Sequence, residues 1–385
     1  MSSKEEDTMQ FKSVLTVAAS LLLSHSTLAV AESDALQAIR ASAATIATNH
    51  PGIHTYAEAP AGFDPMKASE LQLAFYGFPP RPDPEADAHR YTSWARAMRA
   101  AKIRWNGELK PLPGGRPMTM PAASSPEAET AKAGSSGPQK ISTINASGVI
   151  LNNKEKSYNK KNSFVYAYAE FIVPNALLPF NTTSCAASDY TEVTYVGIDG
   201  SVSNTGNGNQ FDPMLEGGVY ASAPCGGTPF YYAELAWQDD LQGVFPVTPG
   251  DVMNVGVVAL PGQSYVYLGD LTTQTYKSYT VSSPGIVGNS AAWIVETLCC
   301  TGNQPFPLAN TLSIAFGDAA VQTGSQFDTK NGSNPGSQAS STKILTMTNY
   351  AGDQDIETVD QGSAGTEGLQ GLWFQTLRCA LINGC

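Results

Sequence analysis

The sequence predicts an all-β sandwich of two antiparallel sheets over residues 141–385. An export signal (residues 1–31) and a partly helical pro-segment with its linker (residues 32–140) precede it. Two observations predict the fold. From Ile141 onward, runs rich in Val, Ile, Tyr, Phe and Thr recur between clusters of Gly, Pro, Asn and Ser, as in sandwiches built from many short strands. No stretch in that part carries an amphipathic helical spacing.

In chain order, Lys12 precedes an apolar run from Val14 to Leu23, and Ala29-Val30-Ala31 offers a small-x-small cleavage site. The run is too short for a permanent membrane anchor. Met9, followed by Gln-Phe-Lys, is an alternative start that avoids the charged stretch Ser2–Asp7. Residues 32–140 contain no cysteine and no strand run; Phe78-Pro79-Pro80-Arg81-Pro82-Asp83-Pro84 is extended and stiff. The spacing of Trp94, Ala95, Met98, Ala101, Lys102 and Trp105 predicts a helix over 90–105, made basic by Arg90, Arg96, Arg99, Lys102 and Arg104. Such a helix suits a nucleic-acid segment or a small surface helix, and better a pro-segment covering an acidic site. Pro121–Gln139 lacks apolar periodicity and reads as a cleavable linker. The strands expected beyond it are Phe164–Val173, Thr191–Ile198, Val252–Leu260, Ser264–Leu271, Tyr276–Val281, Thr311–Phe316 and Lys343–Asn349. Asn145, Asn181 and Asn331 open N-x-S/T sequons.

Charge and histidine usage narrow the chemistry. From residue 141 on there are 8 Lys+Arg against 20 Asp+Glu, so the whole net charge of −12 resides there. Such a surface repels nucleic acid and anionic membranes and suits an acidic medium. All four histidines (His25, His50, His54, His89) precede residue 90, so no Ser-His-Asp triad, Cys-His pair or His-ligated zinc assembles within the sandwich. Carboxylates are then the natural acid–base groups of a hydrolase. No ligand cluster implies a metal or cofactor. The six cysteines (Cys185, Cys225, Cys299, Cys300, Cys379, Cys385) all lie in the sandwich part and read as disulfides in an exported chain. Fifteen pairings are open; Cys379 with Cys385 closes the shortest loop, and the vicinal Cys299-Cys300 pair is expected to bond to distant partners.

Ala291–Leu298 alternates in two registers, with Trp293, Val295 and Thr297 on one side and Ala292, Ile294, Glu296 and Leu298 on the other. That is a strand buried on both faces. Glu296 is its anomaly, because an ionised carboxylate in apolar surroundings is costly unless paired or protonated. It is either a strand-end Glu reaching solvent or an Arg, or an acid–base group in a site.

Three stretches taken together carry a resemblance: Tyr195-Val-Gly-Ile-Asp199-Gly200, Leu215-Glu216-Gly217-Gly218 and Ala292-Trp-Ile-Val-Glu296, with Tyr231-Tyr232-Ala-Glu234-Leu-Ala-Trp237 between the second and third. In this order they resemble the glutamic peptidases, or eqolisins. Gly250-Asp251 and Leu271-Thr272-Thr273 match family turns, and the resemblance covers roughly 145–316. It implies a secreted, acid-active endopeptidase made as a proenzyme, on a concanavalin-A-like sandwich. It also implies a Glu and a Gln that hold one water: the Glu as general base and later acid, the Gln as donor to the oxyanion. By motif the Glu is Glu296, and the Gln position falls on Glu216; Gln210 is nearby but lacks the Leu-x-x-Gly frame.

An ionised Glu216 cannot donate, but a protonated one can, so the resemblance implies a carboxyl dyad sharing a proton, active only at low pH. Glu234 is implied as a supporting carboxylate and Asp199 as a turn or supporting acceptor. Tyr195 stands at the family's cleft-lining Trp, and Tyr232 and Trp237 are expected to bind substrate. The family's early Asn-Trp-Gly-Gly reads Asn145-Ala146-Ser147-Gly148 here, without its Trp. The expected partners are protein or peptide substrates and the chain's own pro-segment, with no nucleic acid or membrane, in a monomer. Acidification is expected to loosen the pro-segment from the acidic body. Two other readings remain: a paired-Glu glycosidase, for which no Glu-x-Asp-x-x-Glu motif is present, and a glycan- or peptide-binding sandwich without catalysis.

Overall fold

The computed structural model describes residues 43, 46–85, 88–113, 139–143, 146–152, 163–178, 189–200, 215–237, 240–259, 262–283, 286–298, 308–311, 313–323, 332–333, 342–348, 355–360 and 372–378. The export signal, most of the linker, the three sequon asparagines and every cysteine except Cys225 lie outside these residues, as does the Cys379–Cys385 pairing. Cys225 is disulfide-bonded.

The N-terminal segment contributes short strands β1 (Ile46–Ala47) and β2 (Ile53–Thr55), helices α1 (Glu70–Phe75) and α2 (Ala88–Ala100), then β3 (Ile103–Arg104) and β4 (Lys110–Pro111). The strands that follow are β5 (Gln139–Thr143), β6 (Ala146–Asn152), β7 (Phe164–Ile172), β8 (Tyr190–Ile198), β9 (Leu215–Ala223), β10 (Phe230–Trp237), β11 (Asp240–Pro246) and β12 (Val252–Val258). After them come β13 (Gly262–Asp270), β14 (Thr275–Ser283), β15 (Ser290–Glu296), β16 (Ser313–Thr323), β17 (Gly332–Ser333), β18 (Thr342–Thr348), β19 (Asp355–Asp360) and β20 (Leu372–Arg378).

One antiparallel sheet runs β14-β13-β12-β7-β16-β20-β19. The other runs β18-β6-β15-β8-β9-β10-β11. β19 pairs with β18, so the ladder passes from one sheet into the other along that side. The core lies between them: Val255, Val257, Val266 and Leu268 of the first sheet meet Val196, Val219, Trp293 and Val295 of the second. Alternation along each strand buries one set of side chains there and turns the other set to the opposite face. Gly217 allows the closest approach, since a Cβ on it would lie 2.4 Å from Val266 and 3.1 Å from Leu268.

The N-terminal segment packs on the outer face of the first sheet. Trp94, Ala95, Ala97 and Met98 of α2 join Leu73, Phe78, Tyr267 and Tyr276 in one buried cluster; Ala43 and Tyr56 join Tyr166, Tyr168 and Tyr265 in another. The Ser69 hydroxyl caps α1, and Gln72 completes the capping box. α2 stops at Ala100 rather than reaching Trp105. The amides of Lys102 and Ile103 donate to the Gln274 carbonyl at 3.1 and 2.9 Å, and that of Trp105 to Tyr276 at 2.9 Å. The edge of β14 therefore claims the backbone that helical spacing alone assigned to α2. The same edge pairs with β2, and the edge of β11 pairs with β4. These N-terminal strands are two or three residues long and exist by pairing, so no sequence period announced them.

The acidic groups under the basic helix lie on this outer face. Arg96 is hydrogen-bonded to Glu170 of β7 and, at 2.9 Å, to Asp318 of β16. Glu170 also accepts from Tyr168 and Asn254, each at 3.0 Å. Burial, partly offset by Arg96, pushes the Glu170 carboxyl up.

Candidate active site

The second sheet's face away from the core gathers the carboxylates. Register across β15, β8, β9 and β10 sets three rows. The first holds Ala292, Gly197, Glu216 and Ala236; the second Ile294, Tyr195, Gly218 and Glu234; the third Glu296, Val193, Tyr220 and Tyr232. All belong to one face because the intervening residues, such as Trp293, Val196, Val219 and Leu235, enter the core. None of these rows contains Lys, Arg or His. Glu216, Glu234 and Glu296 are all buried, at 1 %, 0 % and 1 % exposure.

Glu296 and Glu216 share this face but not a row. β8 runs between them, with Val193 beside Glu296 and Gly197 beside Glu216. The middle row, with Tyr195 and Glu234, occupies the interval. Tyr195 donates its phenolic hydrogen to Glu296 Oε2 at 3.2 Å, both groups buried. Glu234 leans over β9: its Oε1 is 2.8 Å from where a Cβ on Gly218 would stand. The same Cβ would meet the Thr194 carbonyl at 2.0 Å and the Tyr195 Cα at 2.7 Å. Gly218 thus leaves the space that lets the Glu234 carboxylate sit beside Tyr195.

Asp199 ends β8 at φ 65°, a backbone state that Asp tolerates better than most residues. Its carboxylate accepts from the amides of Val287 (2.6 Å), Gly288 (3.1 Å) and Asn289 (2.7 Å), and its own amide donates to Ser290 at 2.9 Å. It ties the end of β8 to the start of β15, the two strands that carry Tyr195 and Glu296. Among the described residues no cluster of three or more His, Cys, Asp and Glu side chains is placed to hold a metal ion.

Of the three aromatics expected to meet substrate, Tyr195 and Tyr232 are on the site face. Trp237 is not: strand alternation turns it to the other side, where it packs against the core between the sheets. Sequence reasoning missed Tyr220 and Phe230, which extend the aromatic surface of Tyr232: the Tyr220 and Phe230 ring centroids are 5.8 Å apart, and those of Phe230 and Tyr232 6.4 Å apart. Burial pushes the Tyr220 phenol up to about 12. Its signal was the alternation Tyr220, Phe230, Tyr232 on paired strands, legible only once their register is known.

The N-terminal segment reaches this face at its β11 edge. The Leu112 amide donates to the Leu241 carbonyl at 3.2 Å. The Leu112 side chain joins the buried cluster of the site face, 3.1 Å from the missing Cβ of Gly243. Lys110 Nζ lies 3.4 Å from the Tyr232 hydroxyl and 5.4 Å from the ring centre.

Comparisons with known proteins bear on this arrangement. No curated protein matches the chain. Among solved structures, scytalido-glutamic peptidase, crystallised with a peptide-based transition-state analogue, is 20 % identical over 61 % of this chain and 98 % of its own, with a TM-score of 0.43. The enzymatically active domain of bacteriophage CBA120 tailspike protein 2 is 12 % identical over 45 % of this chain and 24 % of its own, with a TM-score of 0.25. The Caenorhabditis elegans galectin LEC-6 is 10 % identical over 39 % and 94 %, with a TM-score of 0.17. The model of the peptidase A4 family matches residues 145–359, a span that contains Tyr195, Glu216, Glu234 and Glu296. The chain belongs to the peptidase A4 family, the glutamic peptidases.

Proposed function

We propose that this peptidase is a secreted, acid-active endopeptidase, made as a proenzyme, that cleaves proteins and peptides at the face carrying Glu216, Glu234 and Glu296. The observation that supports this most is the burial of three carboxylates on one face of one sheet, with a tyrosine hydroxyl on Glu296. The scissile peptide lies over the middle row, between Glu296 and Glu216. Glu296 takes a proton from water, whose oxygen bonds to the carbonyl carbon as the π pair moves onto the carbonyl oxygen. Protonated Glu216 donates a hydrogen bond to that oxyanion. Glu296 then gives its proton to the leaving nitrogen as the C–N bond breaks. Glu234 supports the pair from across Gly218, and Asp199 holds the strands in place. No metal or cofactor takes part.

In the proenzyme, Lys110 and Leu112 block the site face from the β11 edge, while α2 anchors the segment on the opposite sheet. Cleavage in the linker frees the edge. The mature enzyme acts as a monomer on peptide substrates, without nucleic acid or membrane.

The test is digestion of a denatured protein across pH 2 to 7 with pepstatin present, for wild type, Glu296→Gln and Glu216→Gln. Acid-limited, pepstatin-resistant cleavage abolished in Glu296→Gln and retained or raised in Glu216→Gln supports the reading. A processed wild type that cleaves nothing at any pH overturns it, and a glycan array then tests for a binding sandwich.

A further inference from the structure

Tyr195 occupies the centre of the site face. On its β15 side its hydroxyl is bonded to Glu296 at 3.2 Å. On its β9 side it pairs with Gly218, over which the Glu234 carboxylate leans. Two residues along β8, Gly197 leads to Glu216. Tyr195 is itself 3 % exposed, so this hydrogen bond forms away from bulk water, where its strength counts most.

Tyr195 brings a hydroxyl to this face and Glu216 a carboxyl. A carboxyl at 216 is a poorer fixed donor than an amide, because it donates only when protonated. A phenol donates at any acidic pH.

We propose that Tyr195 is a positioning residue for Glu296: its hydroxyl holds the base carboxylate in one orientation and favours its ionised form during water activation. The inference rests on the proposed peptidase reading of this face. Among the described residues, the other titratable groups on this face are Glu216 and Tyr220 on β9, Glu234 and Tyr232 on β10 and Asp189, whose charge bears on Tyr220, with Lys110 at the far edge and none on β6. The three carboxyls disfavour one another's ionisation, and the phenol is a neutral donor that opposes this at Glu296. When Glu296 has taken the proton from water, it is a weaker acceptor; it releases the proton to the leaving amine and the phenol bond re-forms. Tyr195 gains and loses no proton in the cycle.

The test is the pH profile of kcat and kcat/KM for the processed enzyme, wild type against Tyr195→Phe, with melting temperature measured beside it. Loss of a hydrogen bond to a charged group predicts a fall in kcat of roughly 10- to 100-fold with little change in KM. The acid limb is expected to move to higher pH, because the base is then less readily ionised. A folded Tyr195→Phe with unchanged kcat and an unmoved acid limb overturns the proposal while leaving the peptidase reading intact. A wild type without cleavage overturns that reading instead. Should Tyr195→Phe not fold, 3-fluorotyrosine placed at 195 decides: a stronger donor moves the acid limb to lower pH, and an unmoved limb overturns the proposal.

Discussion

Arg96 and Glu170 form an ion pair on the sheet opposite the candidate catalytic face: Arg96, in the N-terminal segment, is 35 % exposed, and the Glu170 side chain is 1 % exposed. The segment is therefore anchored by an electrostatic contact remote from Glu296, and its attachment can be altered without touching the site.

Replacing Arg96 by Met strands Glu170 among Tyr168, Asn254 and Asp318. Breaking a fully buried pair costs about 3–5 kcal/mol, and the partial exposure of Arg96 lowers that figure to roughly 2–3 kcal/mol. Urea denaturation at pH 7 should show this loss, together with faster proteolysis of residues 46–113. An unchanged midpoint would show that the pair does not anchor the segment.

Acidification acts on this contact with a definite sign. Burial outweighs Arg96 and raises the Glu170 carboxyl above its ordinary value of 4.5. A folded state that holds a proton more tightly than the unfolded chain is favoured as pH falls. The contribution is present below 4.5 and is lost as pH rises through the raised value. Desolvation, not pairing, is the largest influence on Glu170, so its protonation favours the folded chain while weakening the attraction to Arg96. Wild type should gain stability relative to Glu170→Gln as the pH falls from 7 toward 4.5, read from melting temperatures at each pH. A difference that stays constant or shrinks would contradict it.

Gly218→Ala should be among the most damaging single-methyl changes in the chain. Its Cβ would sit 2.0 Å from the Thr194 carbonyl, which is backbone of the neighbouring strand and cannot swing away. Strand separation or loss of fold is expected, at a cost of at least about 3 kcal/mol. Circular dichroism and soluble yield report it; a normally folded, active Gly218→Ala would refute the close packing of β8 and β9.

Asp199→Ala removes the acceptor of three backbone amides and places Ala at φ 65°. The expected loss is about 2–4 kcal/mol, with Asp199→Asn milder because Asn tolerates that backbone state. Thermal melting distinguishes the two variants.

Leu112→Asp should weaken the hold of β4 on the site face. Burial of a leucine contributes about 1.5–3 kcal/mol, and the substituted carboxylate adds a further negative charge at the edge of the face that carries Glu234, Glu216 and Glu296. Uncleaved full-length protein carrying this change should turn over a small peptide at least about tenfold faster than unsubstituted full-length protein. Equal rates would mean that the segment does not block the site.

The sequence makes the site face legible to the extent that alternation does. Glu296, with Ile294 and Ala292, and Glu216, with Gly218 and Tyr220, each declare a face within their own strand. What no single strand declares is which rows meet. The offset between Glu216 and Glu296, the lean of Glu234 over Gly218 and the Tyr195–Glu296 bond all depend on register among strands separated by long loops. Trp237 illustrates the cost of reading motif without parity, since one step along β10 moves a side chain from site to core. The partners of Arg96 were similarly hidden, because Glu170 and Asp318 lie 74 and 222 positions away. The helix containing Trp94 and Met98 was legible from its spacing, while its end was not, because the edge of β14 decides it.

The pairing of β2 and β3 with β14, and of β4 with β11, has a consequence for the processing proposed above. These two strands end the continuous ladder, so loss of residues 46–113 would bare a row of unpaired amides and carbonyls at each end. Unprotected edges invite strand addition between molecules. The net charge of −12, all of it in the sandwich part, keeps copies apart near neutral pH and fades as carboxylates take up protons. The colloidal stability of the sandwich without its N-terminal segment is thus weakest at the acid pH where protonation of its carboxylates brings its net charge to zero.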